Sequence, residues 1–515
     1  MRSIPAEYRT GTPEVMAFFA GSPASLMDTP PKRRTWGAEL TDAINRYNEG
    51  IGATGRCRGD EAVVITGQQP GLFSGPLYSV YKAITAIKVA AALEAKHGVP
   101  CVPIYWVGSE DHDLAEAASA HFLTANHSLL SLEYKPTTPV DGFPMHRVPI
   151  EPSLHAFVDR AAEECGGTEF SGEVARFLHE TLDASTSLAD WSARLLARIF
   201  QGTPLVFYAP HIEAGRRAAA PIVRCEVENP LRSTQALNGA GRRLEAAGFP
   251  PQVVKGETEC NFFLMVGDRR RKVLYENKHF VVPEEATRYS KEQLLALLAD
   301  APGRFSPNVA LRCVTQQHLF PAAAYVAGPG ELAYWAQLKP LFAIFEQPMP
   351  IVYPRAHATL TTMKLEKIRR KLGFELDELA GPPNGLLDRA LHVAGANPSI
   401  ETVRSRRENI HTQLAQMTLA LGKDKTAQAM ATALEREVSA GFDRFERSLL
   451  YGDNAKVETI RKQIDRLCNS LMPLRKPQER VFNIVSFLFE HGWDLTPRLM
   501  ESIDTEPYAS NMVEL

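Results

Sequence analysis

A parallel α/β sheet carrying insertions, with an all-helical arm appended, is the fold the sequence predicts, on three observations. Residues 61–107 run strand, Gly/Pro turn, helix and strand through "AVVIT", "TGQQPGLFSG", "PLYSVYKAITAIKVAAALEAKHG" and "VPCVPIYWVG", a crossover of the length a parallel βαβ unit requires. An apolar run, a second Gly/Pro turn and a helix return in "SPNVALRCVTQQHLFPAAAYVAGPGELAYWAQL". After Phe374 the periodicity becomes that of heptads.

The elements between these landmarks follow from local pattern. Residues 113–200 hold shorter mixed elements, and the turn-bounded "TTPVDGFPMHRVPIEP" reads as an insertion rather than a continuation of the sheet. "TPLVFYAPH" is a buried strand running into a loop, "RRRKVLYENKHFVVP" a hairpin around Glu276-Asn277, and "MPIVYPRAHATL" a last strand ending at Arg355 and His357. Val403, Ile410, Leu414, Met417 and Leu421 form one heptad seam, and Val457, Ile460, Ile464, Leu467 and Leu471 a second. "YGDNAK" (451–456) is the expected turn between two antiparallel helices. The expected layout is a core first half at 1–120, a connective insertion at 121–200, a core second half with a smaller insertion at 201–375, a helical arm at 376–475, and a segment at 476–515 that folds back on the core.

Bulk composition excludes several classes. The 515 residues are 44% apolar and 23% charged, the balance of a globular protein, and exceed what one ordinary core accommodates. With 57 basic and 60 acidic side chains the formal net charge is -3, so no overall field recruits nucleic acid or anionic lipid. Seven scattered cysteines without a C-x-x-C pair argue against a disulfide framework or a local zinc site and fit a reduced cytoplasm. No apolar run is long enough for a membrane span.

Three stretches carry candidate chemistry. In "TGQQPGLFSGPLYSVYK", Gly67, Gly71 and Gly75 permit tight turns or close approach to a ligand, and Pro76 suits the first helical position. Gln68 and Gln69 donate and accept, Tyr78 and Lys82 stand one helical turn apart, and the helix start would face an anion. The plainer reading is a strand-to-helix turn that needs glycine, since neither G-x-x-x-x-G-K-[ST] nor G-x-G-x-x-G is present. In "YWVGSEDHD", a strand ends in Glu110, Asp111, His112 and Asp113, a costly group unless it binds something. There His112 is a candidate base, and the carboxylates are candidates for an amine or for Mg²⁺; the competing reading is an acidic helix start capped by Asp113. The third stretch, "VAGPGELAYWAQL", offers Gly328 and Gly330 for backbone approach, Glu331 at the helix start, and Tyr334 and Trp335 one turn on. Asn308, Arg312, Gln316 and Gln317 add polar groups upstream of it.

Taken together, "ITGQQPGLFSGPLYSVYKAITAIK", "PIYWVGSEDHD", "SPNVALRCVTQQHLFPAAAYVAGPGELAYW" and "MPIVYPRAHATL" make the chain resemble the bacillithiol synthase family over nearly its whole length. The resemblance implies a Rossmann-type core like that of class I aminoacyl-tRNA synthetases, connective insertions, and a coiled-coil arm that makes a homodimer. It also implies a ligase that joins L-cysteine to glucosaminyl malate through an amide bond. A free carboxylate must be activated first, so ATP or another nucleotide is expected, giving an adenylate or an acyl phosphate. The helix starts at Gly75 and Gly330 are then candidates for the phosphates, Lys82 and Arg355 for developing charge, and His112 for the proton of the attacking amine. The chain departs from synthetases in lacking H-I-G-H and K-M-S-K-S; "TTMKLEKIRR" stands near the place of the second. The basic run Lys364, Lys367, Arg369, Arg370 and Lys371 reads as a solvated helix face, with nucleotide binding as the other reading. Two further classes compete: a metal-dependent hydrolase or phosphoesterase using residues 110–113, and a non-catalytic coiled-coil scaffold.

Overall fold

The structure is a computed structural model and describes residues 2–394, 398–422, 424–451 and 454–515. The chain forms two compact units, one of residues 1–125, 129–359 and 479–513, the other of 126–128, 360–478 and 514–515.

At the centre of the first unit lies a five-stranded, all-parallel sheet made of β1 (Ala62–Gln68), β2 (Cys101–Val107), β3 (Val206–Tyr208), β4 (Ala322–Ala327) and β5 (Ile351–Pro354). Its order is β5-β4-β1-β2-β3. The chain builds outward from β1 through β2 to β3, then returns to place β4 on the other side of β1, which is the doubly wound, Rossmann-type arrangement. The strands are apolar runs because both faces are covered: Val63, Val64, Ile65, Ile104 and Val206 are fully buried. Helix α1 (Tyr78–His97) makes the crossover from β1 to β2 and ends on Gly98 in the left-handed region. Helix α2 (Glu213–Glu228) follows β3, and α3 (Val309–Leu319) and α4 (Pro329–Trp335) precede and follow β4. Arg312, Gln316 and Gln317, read from sequence as polar groups upstream of the second Gly/Pro turn, thus stand on helix α3.

A second, antiparallel sheet inserted before β4 runs in the order 305–307, 259–266, 269–276, 279–282 and 287–289. Its expected hairpin forms one residue later than predicted: Asn277 and Lys278, both at positive φ (50° and 64°), make the two-residue turn.

Helix α1 begins at Tyr78, so Pro76 is not its first residue; it bridges Asn483 instead. The loop before it is unusual, with Phe73 and Ser74 at φ 53° and 70° and Gly75 at 81°. Asn483 holds this loop by donating from Nδ2 to the carbonyls of Phe73 (2.7 Å) and Gly75 (2.8 Å), and the N–H of Leu77 donates to Phe482 O. Phe73 packs edge-on against Phe122 and Trp191.

The second unit is helical. Val457, Ile460, Ile464, Leu467 and Leu471, all on Asn454–Leu471, are buried against Leu365, Leu372, Leu386 and Leu387. Four residues of the first seam, Val403, Ile410, Leu414 and Met417, lie on Pro398–Ala420, where Ile410 and Met417 remain exposed, and Leu421 follows the helix end. Between the two seams runs a helix that the heptad reading missed, Lys425–Tyr451. Of the predicted turn at 451–456, residues 452–453 lie outside the described residues. Met363–Lys371 carries the basic run with Lys364, Lys367, Arg370 and Lys371 exposed and Arg369 paired with Glu366.

Candidate functional site

The two strands on which the winding reverses, β1 and β4, send their carboxyl ends into loops that diverge, and a crevice opens there. It has a volume of about 390 Å³. Gly67, Gln68, Gln69, Tyr78 and Lys82 form the β1 wall. Opposite stand Arg312, Gly328, Gly330, Glu331 and Tyr334. The end of β2 adds Trp106, Gly108, Asp111 and Glu116, and Arg355 and Arg480 close the remaining side.

Gly67 is required by packing, since a Cβ there would lie 2.7 Å from Trp106 O and 2.8 Å from Trp106 Cβ on the neighbouring strand.

Lys82 is buried, and its Nζ donates to Gly67 O (2.6 Å) and Gln68 Oε1 (3.0 Å) while pairing with Glu331 Oε2 at 2.5 Å. Glu331 also accepts from Tyr325 Oη (2.5 Å) and from the N–H of Gly328 (2.8 Å). Burial by itself pushes this carboxyl up, but Lys82, Tyr325 and Gly328 outweigh burial and hold it below the usual carboxylate range. Gln68 Nε2 donates to Tyr78 Oη at 3.3 Å, and burial pushes that phenol up to about 12.

The remaining cations differ in one respect. Arg355 is matched by Glu479 at 2.6 Å. Arg312 donates to Gln316 Oε1 (3.1 Å) and Tyr334 Oη (3.2 Å) and lies over Trp106 and Tyr325, with no carboxylate in ion-pair contact among the described residues. Arg480 is exposed and likewise has no ion-pair partner among the described residues. Two uncompensated guanidinium groups therefore face one cavity, which suits an anionic ligand.

Several predicted site residues turn elsewhere. Glu110 is buried in an ion pair with Arg216 on α2. His112 faces Arg270 of the antiparallel sheet, whose Nη1 donates to its Nδ1 at 3.2 Å, and meets Phe263 edge-on. Because arginine only donates, neutral His112 carries its proton on Nε2. Burial and then Arg270 pull its pKa down. Asp113 caps the turn Leu114–Ala117 by accepting from the N–H of Glu116. Residues 110–113 therefore do not converge, and among the described residues no group of three or more His, Cys, Asp or Glu is placed to hold a metal. Trp335 is fully buried, stacked on Tyr325 and Phe342, and Asn308 caps α3 while bonding Asn261. Gly71 and Gly75 lie in the loop held by Asn483, outside the crevice.

The two expected phosphate positions differ: the Gly75 start is covered, whereas Gly330 lines the crevice. The Gly75 end of α1 is covered by residues 482–483, and the N–H of Gly328 is taken by Glu331. Glu116 and Arg480 were not found from sequence: Glu116 reads as helix polarity, and Arg480 follows the arm some 400 residues from β1.

Strand order and crevice define a doubly wound α/β protein with a charge-lined crevice at its switch point. Residues 3–356 match the bacillithiol biosynthesis BshC N-terminal Rossmann-like domain, and residues 358–515 match the BshC C-terminal coiled-coil domain. The chain belongs to the bacillithiol biosynthesis BshC family. Among its relatives are proteins named "Putative cysteine ligase BshC" from Salinibacter ruber (30% identical, covering 92% of this chain and 88% of the relative) and Geobacillus thermodenitrificans (30%, 89% and 87%). A solved arginyl-tRNA synthetase from Thermus thermophilus aligns over 86% of each chain at 11% identity, with a TM-score of 0.19. At that score the overlap carries no argument; the fold assignment rests on strand order and on the family.

Proposed function

We propose that the chain is a cysteine ligase of bacillithiol biosynthesis, joining the carboxyl of L-cysteine to the amine of glucosaminyl malate after nucleotide-dependent activation. The carrying observation is the crevice at the β1/β4 switch point, in which Arg312 and Arg480 have no carboxylate in ion-pair contact among the described residues while Asp111 and Glu116 face the same space. Such a cavity suits a molecule with both an anionic and an ammonium end, as cysteine and the amino sugar both have. The relatives' names support the reaction class.

In this reading Arg312 and Arg480 hold phosphate or carboxylate oxygens, and Asp111 and Glu116 attract the amine. Lys82 and Glu331 act as a fixed pair that positions Gln68 and the Gly328 turn rather than reacting. A nucleoside triphosphate would supply activation of the cysteine carboxyl, its charge suits Arg312 and Arg480, and Mg²⁺ would enter on its phosphates. The proposed assembly is a homodimer through the helical arm, supported by exposed Ile410, Met417, Leu419, Met430 and Phe445.

Incubation of the purified protein with cysteine, glucosaminyl malate and ATP, followed by mass spectrometry, tests the reaction. Bacillithiol with AMP indicates an adenylate, and with ADP an acyl phosphate. No amide product with any nucleoside triphosphate would remove the ligase reading.

A further inference from the structure

We propose that Glu116 is the base that takes the proton from the attacking amine, an inference that rests on the ligase reading. Three carboxylates face the crevice: Asp111, Glu116 and Glu331. Glu331 is already engaged by Lys82, Tyr325 and the Gly328 N–H. Asp111 accepts from the N–H of Asp113 at 3.1 Å. Glu116 has no side-chain hydrogen bond or ion pair among the described residues, so its oxygens are available to a ligand.

The backbone under this carboxylate is also held in place. Glu116 stands on the single turn Leu114–Ala117, capped by Asp113, and Gln69 Nε2 ties that cap to the β1 loop by donating to Asp113 O at 2.7 Å. Partial burial, then the charges of Asp111 and Asp113, raise its proton affinity above that of an ordinary glutamate. His112 is badly placed to compete, because its acceptor nitrogen is occupied by Arg270.

An amino sugar arrives as an ammonium ion, which Asp111 and Glu116 attract, but nitrogen needs its lone pair to attack. As the C–N bond forms, the bond from the carbonyl carbon to its leaving oxygen breaks and that oxygen keeps the electron pair. Before the attack the ammonium gives one proton to a carboxylate oxygen of Glu116, which exposes the lone pair, and the second proton that nitrogen loses as the amide forms leaves on the departing phosphate oxygen. The step requires a cysteine carboxyl already activated by a nucleoside triphosphate.

The full-length chain with cysteine, ATP and glucosaminyl malate provides the test. Glu116→Gln is expected to slow amide formation by about 100-fold or more at neutral pH, the usual size of a general-base contribution. The rate should recover as rising pH deprotonates the amine directly. Hydroxylamine, already unprotonated at neutral pH, should capture the activated cysteine at the wild-type rate in this variant, and Glu116→Asp should retain part of the ligation rate. Wild-type amide formation by Glu116→Gln would overturn the assignment. Equal loss with both nucleophiles would overturn it too, because the residue would then serve activation or folding. A wild-type chain that forms no amide, before any substitution, marks failure of the ligase reading itself, and the base assignment falls with it.

Discussion

Lys82 and Glu331 illustrate at the residue scale how a buried charge is tolerated. Lys82 Nζ meets two oxygen acceptors and a carboxylate, and Glu331 meets a phenol and a backbone N–H besides. Replacing one member leaves the other buried without its counter-charge. Lys82→Met is therefore expected to cost about 3–5 kcal/mol in urea unfolding, and Lys82→Met combined with Glu331→Gln less than the two singles summed. Arg312 has the opposite role, being uncompensated. Arg312→Leu should cost about 1–3 kcal/mol because Gln316 and Tyr334 lose their donor, and should raise KM for an anionic reactant about tenfold or more, the usual worth of a charge-assisted hydrogen bond. Of the charged residues at the β2 end, sequence placed Glu110, Asp111, His112 and Asp113 together, yet the crevice receives only Asp111 of these. Side chains leaving a strand end point in different directions, and Arg216 and Arg270, each over 100 residues away, claim Glu110 and His112.

Among the elements, the loop at 71–77 depends most on a distant partner. Its residues at positive φ, Phe73 and Ser74, are strained outside glycine, and Asn483 supplies two donors to its carbonyls while accepting from the N–H of Val485 at 2.8 Å. Asn483→Ala should thus cost about 2–4 kcal/mol, read as a lowered unfolding midpoint, because buried carbonyls lose their donor. The sequence pattern identified the strand and the helix on either side of this loop but not the loop's form. The βαβ periodicity is local, whereas the loop conformation is set by residues 400 positions later. Helix Lys425–Tyr451 escaped the heptad reading for a related reason: its stripe includes small Ala431, buried, and leaves Met430 and Phe445 exposed, so no continuous Leu/Ile/Val seam marks it.

For the whole molecule, acid sensitivity follows from a stacked histidine pair behind the β2 end. His146 and His211 lie 4.8 Å apart, 11° from parallel, with His211 Nδ1 bonded to Ser109 Oγ at 2.8 Å. Burial, reinforced by His146 and then Arg216, pulls His211 from 6.5 down to about 3, and burial with the charges of Arg216, Arg147 and Arg270 pulls His146 to about 4. The folded state thus binds fewer protons than the unfolded one, so this stability is fully present above pH 6.5 and is lost as pH falls toward 4 and then 3. Thermal unfolding should show a lower Tm at pH 5 than at pH 7.5, with a smaller difference in His211→Gln. The proposed dimer has its own check: Leu419→Glu with Met430→Glu should yield a monomer by light scattering if the exposed arm residues form the interface.

By itself the sequence determined the strands and their parallel crossovers, the glycine turns at the ends of β1 and β4, the helical character of the arm and the family. These are written in short-range periodicity and contiguous motifs. Tertiary structure decided which charges share one cavity. It brought in Glu116 and Arg480, turned Glu110, His112 and Trp335 away, and covered the Gly75 helix start with Phe482 and Asn483. The physical reason is that a polar side chain goes where its hydrogen bonds can be satisfied, and here the partners lie in segments far apart in the chain.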